Sequence, residues 1–144
     1  MLASVFPGAT PVKRIILLCL ALGLAFPALA EDKTDEAEKP RYHALVPALV
    51  GNFGSSNGKL RYYKADIALR VSGSDAEGRV KHHEPLIRNQ LVTLFSQQSD
   101  TTLAGVEAKE ALRQEALKQV QAVLTHEEGT PLVDDLLFNN LIVQ

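Results

Sequence analysis

Between Lys59 and Val71 apolar and polar side chains alternate along the chain. Tyr63, Ala65, Ile67, Leu69 and Val71 fall on one side, and Tyr62, Lys64, Asp66 and Arg70 on the other. Alternation at period two predicts a half-buried strand with one wet face. From Glu84 the period lengthens. Ile87, Leu91, Leu94, Phe95 and Gln98 share a stripe that excludes Arg88, Asn89 and Gln90, which predicts an amphipathic helix. Pro85 suits its first turn, with Glu84 placed to favour the helix dipole. Asp100-Thr101-Thr102 ends that helix. A second is predicted from about Val106 to His126, with Ala108, Leu112, Ala116, Val120, Val123 and Leu124 on its apolar side. On its wet side Glu110 neighbours Arg113, and Glu115 neighbours Lys118. Gly129-Thr130-Pro131 stops it.

Three further segments complete the pattern. His43 to Val50 is apolar but contains Pro47, so it is expected as an edge strand or an irregular extended segment. Gly51 to Gly58 is turn-rich, and its Asn57-Gly58 is a hairpin signal; Ser72 to Asp75 is expected as a second loop. Leu132 to Gln144 is expected as a strand with both faces partly covered, and Asn139-Asn140 marks a candidate bulge that switches faces. The order strand, strand, helix, helix, strand predicts an α+β fold, a mainly antiparallel sheet with two helices packed on one face.

The N-terminus has a different character. Lys13-Arg14 precedes sixteen uncharged residues, Ile15 to Ala30, with Pro27 near the end and Ala28-Leu29-Ala30 closing the run. A basic stretch, a short apolar core and small residues at Ala28 and Ala30 form a secretory signal with cleavage after Ala30. A spanning helix wants about 20 apolar residues, so retention as an inner-membrane anchor is the competing reading. Cys19 follows Leu17-Leu18 in mid-run, which disfavours a lipoprotein signal. Residues 31–41 read as a charged linker and 42–144 as the domain proper.

Cleavage would remove two cations and no anions. Thirteen Lys and Arg would then face seventeen Asp and Glu, moving the net charge from −2 to −4. The one cysteine would leave as well, so no disulfide, thiolate nucleophile or cysteine metal site is expected in the domain. The acidic balance argues against a nucleic-acid partner.

No residue pattern rises to a catalytic site. Gly51 to Lys59 superficially resembles a phosphate-binding loop, but Phe53 stands where its first glycine belongs and Leu60 where a Ser or Thr would hold magnesium. The adjacent His82 and His83 diverge on a strand or a helix, and His43 and His126 stand alone, so neither metal nor cofactor is expected. Ser72 and Ser74 lack a nucleophile-elbow pattern. Arg61-Tyr62-Tyr63-Lys64 and Arg79-Val80-Lys81-His82-His83 interleave bases with aromatics and are expected as solvated strand faces.

Four segments in order resemble the flagellar basal-body-associated FliL family. They are Leu60 to Leu69, His83 to Asn89 leading into Leu94-Phe95-Ser96, Gly105 to Glu115, and Pro131 to Gln144. The resemblance covers nearly all of residues 42–144. It implies a periplasmic domain akin to the stomatin-type (SPFH-like) fold. It also implies a non-enzymatic accessory role at the flagellar motor, with stator and basal-body proteins as partners and homo-oligomers or rings as the assembly. A removable leader departs from the family's usual retained membrane helix. Membrane association would then come through partners, and a soluble periplasmic adaptor or ligand-binding module unconnected with motility stands as the alternative. If the C-terminal strand lies at a sheet edge, Leu137, Asn139, Leu141 and Val143 are the candidate interface.

Overall fold

The alternating strand is the axis of the sheet. A computed structural model describes residues 39–54 and 58–144. The expected leader with Ala28 and Ala30, and the linker through Glu38, lie outside the described residues. In chain order the elements are β1 Pro40–Ala44, β2 Leu49–Phe53, β3 Arg61–Ser72, α1 Gly73–His82, α2 Glu84–Ser96, α3 Gly105–Glu128 and β4 Val133–Val143. One edge of β3 pairs with β1 through Ala68–Ser72 and with β2 through Arg61–Ala65. The other edge pairs with β4 from Tyr63 to Val71, and every pairing is antiparallel.

The expected α+β class and antiparallel sheet are found, with three helices in place of two. Tyr63, Ala65, Ile67, Leu69 and Val71 are all 0–1 % exposed. They form one core with Ile87, Leu91, Leu94 and Phe95 of α2 and with Leu112, Ala116, Val120 and Leu124 of α3. The Tyr63 ring stacks on Phe95 at 4.8 Å between centroids. On its other side Tyr63 closes over Gly51, where an added Cβ would meet the ring at 2.7–2.9 Å. Glycine is therefore fixed at that position by close approach. Gly129 ends α3 in the left-handed conformation, φ 74°, with its N–H donated to the Thr125 carbonyl.

Two expectations need correction. Residues 73–82 form α1, where a loop at 72–75 and a solvated strand face at 79–83 were expected. Only Gly73, Ala76 and Val80 of α1 are buried. That is too short a stripe to register as a period in sequence, and the helix is held by packing on β1. His43 to Val50 is divided between two strands, separated by a bend at the cis Val46–Pro47 bond. Just before the bend the Leu45 N–H is donated to the Ile67 carbonyl, and after it the chain rejoins β3 as β2.

The expected bulge is present. Asn140 pairs with Asp66 and Phe138 with Ile67, so Asn139 is the extra residue; a second irregularity skips Asp134. Two insertions keep Val133, Leu136, Phe138, Leu141 and Val143 on the helix side although their spacing breaks period two.

Candidate interaction surfaces

The helices pack on one side of the sheet, and among the described residues the other side is left open. The register lays out cross-strand rows there. Val50, Lys64 and Ile142 form one row, and Asn52, Tyr62 and Gln144 the next. Tyr62 is 50 % exposed, Val50 65 % and Ile142 39 %, and Tyr42 at the far end is 57 % exposed. Val50, Tyr62, Lys64, Ile142 and Gln144 rim a shallow depression of about 210 Å³. A face combining aromatic, aliphatic and charged groups suits protein contact.

The second surface is the outer edge of β4, which pairs with β3 alone. A groove of about 400 Å³ follows it, lined by Val106, Lys109, Glu110 and Arg113 of α3 and by Leu137, Phe138 and Leu141 of β4. The candidate interface residues are thus not one stripe. Leu137 pairs with Ala68 on the open-face parity, Asn139 is the bulge, and Leu141 and Val143 pack against the core from the helix side. The groove wraps the strand edge and so touches both parities.

Arg113 governs the upper part of this edge. It donates to the Leu136 carbonyl at 2.9 Å, to Asp135 Oδ1, and through Nε and Nη2 to Glu110. The hydrogen bond from Arg113, aided by one from Gln114, lowers the Glu110 carboxyl to about 2. Glu110 in turn raises the Arg113 guanidinium. Gln121 Nε2 donates to the Val133 carbonyl at 2.7 Å. In the sequence Arg113 is legible only as an intrahelical partner of Glu110. Its reach to a strand 22 residues away leaves no local signal.

The histidines serve as polar braces. His43 Nε2 lies 2.9 Å from Glu84 Oε2, and Arg88 donates to the same carboxylate and to the Pro47 carbonyl. His83 Nε2 meets Glu128, which also accepts from Arg79. The His83 contact, followed by that from Arg79, lowers the Glu128 carboxyl. These contacts tie the α1–α2 junction to β1 and to the end of α3. His82 sets its ring edge against His83, and His126 is exposed beside Glu127. Among the described residues no three His, Cys, Asp or Glu side chains converge as a metal site. The segment with a phosphate-loop look places Gly51–Phe53 in β2, paired with β3.

The described residues thus form a four-stranded antiparallel sheet with helices packed on one side. The family model described as "Flagellar basal body-associated protein FliL" matches residues 42–144, and the chain belongs to that family. It is similar to "Flagellar protein FliL" of Aquifex aeolicus (strain VF5), 24 % identical over 102 residues. That alignment covers 71 % of this chain and 60 % of the relative's length.

Proposed function

We propose that the chain is a non-enzymatic accessory protein of the flagellar motor, acting in the periplasm through contacts with stator and basal-body proteins. The family match across residues 42–144 carries this reading. The open sheet face and the β4 edge supply surface for such contacts, and a homo-oligomer belongs to the same reading. So do a stomatin-like (SPFH-like) fold for the domain and export by the leader, with cleavage after Ala30. An intact mass that includes residues 1–30 would replace cleavage with membrane anchoring.

Affinity capture tests the partner. The tagged full chain, expressed in motile cells and recovered from detergent-solubilised envelopes, is expected to bring down stator or basal-body proteins. Reproducible enrichment of other envelope proteins without these would overturn the motor role in favour of an adaptor unconnected with motility.

A further inference from the structure

β1 and α1 are lightly anchored in the core. No residue of β1 is buried, and of α1 only Gly73, Ala76 and Val80 are. β3 by contrast seals Tyr63, Ala65, Ile67, Ala68, Leu69 and Val71. Segments with few buried apolar contacts are those that open ahead of the rest of a fold.

The two elements lean on each other. The Gly73 N–H, at the first residue of α1, donates to the Lys39 carbonyl at 2.9 Å, so the β1 ladder ends on the helix itself. Gly73 makes that turn with φ 86°. Arg41 Nη1 of β1 donates to Glu77 Oε2 of α1 at 3.2 Å, and α1 packs chiefly on β1. The far end of α1 is fastened elsewhere. His83 closes α1 and opens α2, donating its N–H to the Arg79 carbonyl and accepting from Leu86 and Ile87. With Arg79 it also holds Glu128 of α3.

We infer that β1 and α1 are one cooperative unit that opens from the Gly73 end, hinged at His83, while β2, β3, β4, α2 and α3 stay folded. Losing α1 strips β1 of its cover and of the Arg41–Glu77 pair. Losing β1 strips α1 of the surface it packs on and of the carbonyl that holds Gly73. Each departure therefore removes what keeps the other in place. Opening bares the Ala68–Ser72 edge of β3. The unit is a coupling device. A molecule that displaces β1 frees α1, and one that grips the exposed Asp75, Lys81 and His82 side of α1 holds β1 in the sheet. Such coupling is reciprocal, because both events act on one equilibrium. It does not depend on which partner the domain binds.

Native-state hydrogen exchange on the full chain in detergent micelles, read by mass spectrometry, tests the unit. The bonds at Lys39 and Leu45 fix the alternation, so the Arg41 and His43 N–H groups face β3 and report on β1. Residues 40–44 and 74–82 are expected to exchange with one common denaturant dependence, roughly tenfold or more faster than β3, α2 and α3. Val80→Ala in α1 should accelerate both segments by one shared factor of about three or more, leaving α3 and β4 unchanged. Arg41→Gln in β1 should do the same from the other side, by a smaller factor. Glu77→Gln replaces Val80→Ala should that variant unfold. Acceleration confined to the element carrying the substitution overturns the unit. So does exchange of either segment at the rate of β3, or acceleration of the whole domain alike by Val80→Ala and Glu77→Gln.

Discussion

β3 carries two faces built by different rules. On the helix side every second residue is sealed, and shape decides what fits. Tyr63 lies between Phe95 and Gly51 with no room for a methyl group on the glycine. On the open side Tyr62, Lys64, Asp66 and Arg70 hold their places with partial exposure, and no helix among the described residues constrains their volume. One strand thus carries a sealed face and a face that, apart from the buried Ala68, stays partly exposed. Substitutions on the two faces should differ in kind: the first set should cost stability, the second should change what the domain binds.

The largest expected effect breaks the sealed face. Leu69→Ala leaves a cavity at a fully buried position, and should cost about 2–5 kcal/mol in denaturant unfolding. Next comes Gly51→Ala, whose Cβ would press on the Tyr63 ring. Overpacking of this kind should cost about 1–3 kcal/mol, with Tyr63→Leu in the same chain recovering part of it. A repair that recovers nothing would mean that the glycine is set by something other than the ring.

A subtler effect comes from the Arg113 cluster. The folded-state carboxyl of Glu110 is depressed from the ordinary 4.5 to about 2. Its contribution to stability is therefore complete above the unfolded value and is lost as pH falls through the folded one. Thermal stability should fall as pH drops from about 4.5 toward about 2, and Glu110→Gln should flatten that slope. Glu128, lowered by His83 and Arg79, acts in the same direction, so the slope should shrink without vanishing. Smallest of all is Lys64→Gln on the open face, expected within about 0.5 kcal/mol of the parent. A larger loss there would erase the distinction between the faces.

The parts of this fold legible in sequence are those whose neighbours repeat. β3, α2 and α3 announce themselves because each buries a stripe long enough to show its period. The bulge at Asn139 was legible because two adjacent asparagines interrupt an apolar strand. α1 was not, since Ala76 and Val80 alone carry its buried side beside two glycines. The occupancy of the β4 edge was not legible, because it depends on Arg113 and Gln121 reaching across from α3 to the Leu136 and Val133 carbonyls. Such contacts arise only once the helix and strand are packed together.

The central claim is that this chain serves at the flagellar motor, and its position in motile cells tests that most directly. Antibody labelling of the untagged chain in permeabilised cells should give foci coincident with flagellar bases, and the foci should vanish when the basal body is not assembled. Label spread evenly around the envelope, unchanged by loss of the basal body, would contradict it.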